Sequence, residues 1–298
     1  MKIAIHQTNP RLLDIQTNME EIINRIDRER DNKVQLNVFP ELALTGYFVG
    51  SRYHEAALRL DSPEIIRLVA ATKGTAAVIG FIEESPSMNF YNAALIAING
   101  CIIHCYRKLN LPNYGLFEEK KYFSGGKRIP VFKLHGFNIA VFICNDLWHP
   151  ALPYLGICQK ADIFVSIFNS SQGSMGAEFS NIDSWRIINT FYSRIFGIYN
   201  ICANRVGKEG PLVRRSRDRL ATERDEERIL YNFWGGSEII NPFGQVTSKA
   251  ALDEEDTIYG TIDRDMLRKK KILLPYLRND DPYFTHRELE RILFDKKQ

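Results

Sequence analysis

The stretch Asn138-Ile139-Ala140-Val141-Phe142-Ile143-Cys144, followed at once by Asn145-Asp146-Leu147-Trp148-His149-Pro150, decides the architecture. Its apolar run predicts a strand over 138–144, and the polar tail turns the chain toward a helix predicted over 151–160. A side chain at such a strand end is exposed beside free backbone N–H groups, which can hold a developing oxyanion. Cys144 is therefore a candidate nucleophile. Cys101, Cys105 and Cys202 lie in strand runs and Cys158 on the helix, positions that suit core packing.

Working outward, the same strand signature recurs at 2–6, 35–39, 76–82, 93–98, 102–107, 162–168, 197–203, 238–240 and 257–262, in runs rich in Val, Ile, Phe and Tyr. Further helices are predicted at 14–30, 62–71 and 181–194. In the first, Ile15, Met19, Ile22, Ile23 and Ile26 form one apolar stripe. In the second, Ser62-Pro63-Glu64 supplies a cap and a proline at the first helical position. Strands alternate with helices, no Pro/Gly/Ser-rich linker divides the chain, and no internal repeat is present. The expectation is one α/β domain.

Composition bounds the function. Of 298 residues, 45% are hydrophobic and 25% charged, the balance of a soluble globular protein and not of a disordered one. Lys plus Arg number 39 and Asp plus Glu 36, a net charge of +3 that makes no case for nucleic acid. No apolar run nears the ~18–20 residues of a membrane span, and MKIAIHQTNP reads as a first strand, not a signal peptide. Five scattered cysteines without zinc-ribbon spacing fit a reduced, cytoplasmic protein that binds no metal. The mixed charges of Leu212–Arg228 predict a solvated helix with i,i+4 pairs, a mobile lid or subunit contact being the alternative.

A thiol with a free pKa near ~8.5 needs help at neutral pH, and none of the histidines is singled out to give it. Two other strand ends carry charged candidates. Glu41 follows VQLNVFP in an apolar stretch, where poor solvation raises a carboxyl toward the range of a general base; the alternative is a turn cap or a partner for a surface Lys. Lys108 closes IIHCYR, and alone it reads as a solvated edge charge. In an α/β fold the carboxyl ends of strands gather in one crevice, and there Glu41, Lys108 and Cys144 supply a base, a cation and a nucleophile.

The strings FPELALTGY, YRKLNLPNYGLFEEKKYF and ICNDLWHP resemble the three signature segments of the nitrilase, or carbon–nitrogen hydrolase, superfamily. The middle one is most similar to the glutaminase-type domain of glutamine-dependent NAD synthetase. The likeness runs from Lys2 to about Asp263. It implies a four-layer α-β-β-α sandwich of the nitrilase type, with the single domain over 1–263; beyond it, RKKKILLPYLRNDD and the amphipathic THRELERILFDKK make 264–298 a C-terminal arm expected in a subunit contact. The likeness also implies a Glu41–Lys108–Cys144 triad with a further Glu beside it, Glu119 in preference to Glu118 because the family pattern is Phe-x-Glu. Asn145 stands where relatives often have Glu or an aromatic, and 212–228 where many have a shorter loop. No Ser-Gly-Gly loop of an ATP pyrophosphatase follows, so the chain is not expected to make NAD itself.

The implied reaction is hydrolysis of a small carboxamide to acid and ammonia through a thioester on Cys144, without metal or organic cofactor. Nitrile or N-carbamoyl hydrolysis, a stand-alone glutaminase subunit feeding ammonia to a partner, and a non-enzymatic scaffold are the alternatives. Glu41 takes the thiol proton, Lys108 and the Asn145 N–H hold the oxyanion, and Lys108 lowers the thiol pKa while Glu119 or Glu41 pairs it. Tyr47, Tyr114, Asn145, Trp148, Asn169, Ser170 and Trp185 are the expected pocket residues, with core packing the alternative for each aromatic. The resemblance implies a homo-oligomer, dimer or higher.

Overall fold

The computed structural model describes residues 1–173, 180–214, 226–228 and 230–294. In chain order the first half contains β1 (Lys2–Gln7), α1 (Ile15–Asp31), β2 (Leu36–Val38), α2 (Pro63–Ala71), β3 (Ala76–Glu84), β4 (Phe90–Ile98), β5 (Cys101–Arg107) and α3 (Glu119–Tyr122). Then come β6 (Val131–Leu134), β7 (Phe137–Ile143), a 3-10 turn (Cys144–Trp148), α4 (Ala151–Cys158), β8 (Ile163–Phe168), α5 (Asn181–Phe196) and β9 (Tyr199–Asn204). The remainder is β10 (Val206–Glu209), β11 (Leu212–Arg214), β12 (Glu226–Arg228), β13 (Tyr231–Trp234), β14 (Glu238–Ile240), β15 (Val246–Lys249), β16 (Asp256–Thr261), α6 (Arg264–Leu273), α7 (Tyr276–Asn279) and α8 (Pro282–Phe294).

Two six-stranded sheets carry the fold, in the orders β16-β1-β2-β3-β4-β5 and β15-β14-β9-β8-β7-β6. Their central pairs are parallel: β1 with β2 and β2 with β3 in the first, β7 with β8 and β8 with β9 in the second. Side chains alternate along each strand. In β3, Ala76 and Val78 face the second sheet, while Ala77, Ile79 and Phe81 face outward; in β7, Ile139, Val141 and Ile143 point inward, and Ala140 and Phe142 outward. Met19, Ile22 and Ile26 of α1 with Ile65 and Leu68 of α2 cover the first sheet's outer face. Ile157 of α4 with Trp185 and Tyr192 of α5 cover the second's. Each such side chain removed from water contributes about 1.5–3 kcal/mol, so the apolar faces dictate an α-β-β-α stack.

The helix starts follow the sequence signals. Asp14 accepts from Thr17 N at the head of α1, and Ser62 from Ile65 N at the head of α2, with Pro63 in its first turn. Elsewhere the structure differs from expectation. Gly197 does not open β9; with φ 69° it caps α5, whose last turn needs a left-handed residue. The ends of the charged stretch are not helical, since Leu212–Arg214 pairs antiparallel with Glu226–Arg228; residues 215–225 lie outside the described residues. Cys101 is exposed, and Cys105 and Cys158 are half-buried, leaving Cys202 in the core. The reason at Cys101 is position, because β5 is an edge strand whose first half faces solvent. β6, β10, β13 and β15 are short or polar strands without a strong sequence signature. Among the described residues, no helix is long and apolar enough to cross a membrane.

Candidate active site

The first sheet delivers the charged groups. Beyond β2, Phe39 N donates to Val78 O, which carries the chain along β3 and into a tight turn at Glu41-Leu42, where Leu42 has φ 49°. The turn lies on Gly80 of β3: a Cβ there would sit 2.3 Å from Pro40 O and 2.4 Å from Leu42 N, so only glycine lets the backbones approach. Lys108 extends β5 by one residue, its N donating to Asn92 O of β4. The second sheet delivers the thiol. β7 ends at Ile143, one residue earlier than the sequence suggests, and Cys144 opens the 3-10 turn with φ 45°.

Asp146 binds these two deliveries together. Its Oδ1 accepts from Leu109 N (3.1 Å) and Asn110 N (2.8 Å), just beyond Lys108. Its Oδ2 accepts from the Tyr106 hydroxyl (2.7 Å) and from Ile143 N (3.2 Å), just before Cys144. This fully buried carboxylate was not singled out in the sequence. Its only local signal is its place two residues after the cysteine, since three of its four partners, Tyr106, Leu109 and Asn110, lie more than thirty residues upstream.

Glu41, Lys108 and Glu119 form one buried cluster. Lys108 Nζ donates to Glu41 Oε1 at 2.7 Å and to Glu119 Oε1 at 2.8 Å. Glu41 also accepts from Asn92 Nδ2 (2.7 Å) and Asn169 N (2.8 Å), and Glu119 from the Tyr47 hydroxyl (2.7 Å). Of the two glutamates weighed in the sequence, Glu119 is buried here and Glu118 is exposed. Burial alone would strip Lys108 of its proton, but the Glu119 and Glu41 carboxylates more than offset it and hold the ammonium well above its ordinary pKa. Glu119 is pushed up to about 7, by burial first and by the like charge of Glu41, against the pull of Lys108 and the Tyr47 hydroxyl.

Cys144 keeps part of its surface open to a cavity of about 50 Å³. Its thiol is not acidified. Burial first and the Glu41 carboxylate next push it well above the usual thiol pKa, and the opposing pull of Lys108 is the smaller effect. Lys108 does pull the thiol pKa down, as expected, but burial and two carboxylates outweigh that one shared cation, so the net shift is upward. A resting thiol of this kind needs a base to become a nucleophile.

Tyr114, Asn145, Trp148, Asn169, Ser170 and Trp185 line the cavity, together with Pro112, Phe117 and Asn181. Tyr114 donates to Asn145 Oδ1 at 2.8 Å, and Trp148 stands edge-on to Trp185, which stacks on Phe168 at 4.5 Å. The Ser170 hydroxyl accepts from Trp234 Nε1. Asn169 is 1% exposed, yet neither its Nδ2 nor its Oδ1 has a partner among the described residues. Tyr47 is the expected pocket residue that is elsewhere; its hydroxyl is committed to Glu119, and its ring packs on Phe48, Phe117 and Phe233. Asn92 was missed in the sequence, being one polar residue within an apolar strand.

Residues 2–272 match the sequence pattern of the carbon-nitrogen hydrolase family. The glutamine-dependent NAD(+) synthetase of Acinetobacter baylyi is 26% identical over 272 residues, covering 91% of this chain and 46% of that protein. The N-carbamoylputrescine amidase of Solanum tuberosum is 25% identical over 267 residues, covering 87% of this chain and 85% of that protein. A carbon-nitrogen hydrolase from Helicobacter pylori has the same fold, with a TM-score of 0.79 at 20% identity over 98% of both chains. The chain spans about half the length of the first curated relatives it matches.

Proposed function

This chain belongs to the carbon–nitrogen hydrolase family, and we propose that it hydrolyses a small neutral carboxamide to a carboxylic acid and ammonia. The observation that carries the reading is the single Lys108 ammonium shared by Glu41 and Glu119 at the strand ends where Cys144 opens into its cavity. Glu41 accepts the Cys144 proton as the sulfur attacks the amide carbonyl carbon. The electron pair displaced onto oxygen is held by Lys108 and by the backbone N–H of Asn145. Glu41 returns the proton to nitrogen, the C–N bond breaks, and ammonia leaves a thioester on Cys144. Water, deprotonated by the same carboxylate, adds to the thioester; the acid departs and the thiol is restored. The unpartnered Asn169 amide supplies both a donor and an acceptor to a substrate in the cavity.

The cavity favours a neutral substrate, because none of its described lining residues carries a charge and the space is small. The likeness to glutamine-dependent NAD synthetases favours a second reading, a glutaminase-type amide hydrolase delivering ammonia to a partner. The likeness to an N-carbamoylputrescine amidase places carbamoyl compounds on the same trial. Ammonia release from propionamide, glutamine and an N-carbamoyl amine separates the three. Cys144→Ala abolishes release if the reading holds, and mass spectrometry after brief exposure finds the acyl adduct on the Cys144 peptide. Near-normal turnover by Cys144→Ala overturns it. The same proposal makes the arm beyond Asp263 a contact between copies of this chain. Tyr283, Phe284, Ile292, Leu293 and Phe294 of α8 are each more than half exposed, and a chain lacking 282–298 then elutes as a smaller species in gel filtration.

A further inference from the structure

Glu209 takes no part in that reaction, yet it is 4% exposed and every oxygen is committed. Oε2 accepts from Arg205 Nη1 at 2.6 Å. Oε1 accepts from two backbone donors on another segment, Tyr47 N and Phe48 N, both at 2.7 Å. Arg205, 1% exposed, is pinned in turn: Nη2 donates to Asn9 Oδ1 and Pro10 O, and its guanidinium lies over the Phe233 ring at 4.4 Å. The turn is shaped around this carboxylate. Gly46 has φ 74°, and a Cβ there would lie 2.6 Å from Glu209 Oε2. From the held turn, the Tyr47 ring reaches inward and its hydroxyl meets Glu119 Oε1, the oxygen that also takes Lys108 Nζ.

We propose that Glu209 is a positioning residue: braced by Arg205, it fixes the Gly46–Phe48 turn so that the Tyr47 hydroxyl holds Glu119 against Lys108. The inference rests on the reading of Glu119 as part of the catalytic cluster. Its chemical content is specific. A hydroxyl donating to a carboxylate favours the charged form, so freeing Tyr47 leaves Glu119 protonated to higher pH. A merely structural Glu209 would stabilise the fold without touching that titration.

The test follows the Glu119 carboxyl directly, by carbon-13 NMR of protein labelled at the glutamate carboxyls, with Glu119→Gln assigning the signal. Tyr47→Phe raises the Glu119 midpoint by about half a pH unit or more. Glu209→Asp, which keeps the charge but withdraws it from the turn, raises it in the same direction. So does Arg205→Met/Glu209→Leu, which replaces the buried pair by apolar groups and leaves no lone charge. Adding Tyr47→Phe to Glu209→Asp moves it no further, since both act through one hydroxyl. If Tyr47→Phe shifts Glu119 while both Glu209 variants titrate as the wild type does, the brace is wrong. If Tyr47→Phe itself shifts nothing, the link through Tyr47 is wrong. Neither result bears on hydrolysis at Cys144, which the Cys144→Ala assay decides separately.

Discussion

Lys108 is fully buried and holds its charge on the strength of two carboxylates. Removing one member of such a cluster is expensive, because the remaining like charges stay in low dielectric. Lys108→Met therefore loses about 3–5 kcal/mol of stability at pH 8 in urea unfolding. The loss shrinks as pH falls, since without the cation the carboxyls protonate readily and the repulsion disappears. A penalty independent of pH would place the cost in packing. Cys144 shows a different tension. Its φ of 45° strains any side chain, so Cys144→Gly, inactive like Cys144→Ala, should melt higher than the alanine variant by the equivalent of about 1 kcal/mol. The sequence made Glu41, Lys108 and Cys144 legible because each follows a hydrophobic strand. It did not make Asn92, Asp146 or Glu209 legible, because the partners that tie them to the site, Glu41 for Asn92, Leu109 and Asn110 for Asp146, and Tyr47 and Phe48 for Glu209, are segments distant in the chain.

At the scale of elements, the site depends on how strand ends are tied. Asp146 joins the segment after β5 to the turn after β7, so Asp146→Asn tests the joint. Its amide can still accept from Leu109 and Asn110, but its NH₂ then faces the Ile143 N–H, donor against donor. The expected cost is about 1–3 kcal/mol of stability, with a fall in kcat as the Lys108 and Cys144 segments separate. Gly80→Ala attacks the other support, driving a methyl into the Pro40–Leu42 backbone; activity should fall more than the melting temperature suggests, because the displaced residue is Glu41. The long elements were readable from the chain, as the α1 stripe and the Ser62-Pro63 start show. The short strands were not, since β10 and β13 are specified by their mutual pairing and not by an apolar alternation of their own.

For the whole molecule, pH acts through buried groups of opposite sign. His6 is completely buried, bonds Asn37 Oδ1 and stacks on Phe39, and burial lowers its pKa to about 4. Between the ordinary pKa of about 6.5 and 4 the unfolded chain binds a proton that the native chain refuses, so this contribution, about 3 kcal/mol, is present above the window and lost as pH falls through it. Glu119, raised to about 7, contributes the other way: its share is present at low pH and lost as pH rises through 7. Urea midpoints at pH 4.5 and 7 for the wild type and His6→Gln separate the two, with the variant losing the acid-side decline.

The two sheets divide the groups of the proposed mechanism between them. Glu41 and Lys108 stand on one and Cys144 and the Asn169 N–H on the other, with an apolar interface of branched side chains in between. Under the proposed mechanism, catalysis works as a vernier for the alignment of two slabs. A cavity in that interface, such as Val141→Ala, can leave each sheet internally intact and still offset base from nucleophile by a fraction of an ångström. Turnover should then respond more steeply than melting temperature to substitutions in a layer that never touches substrate.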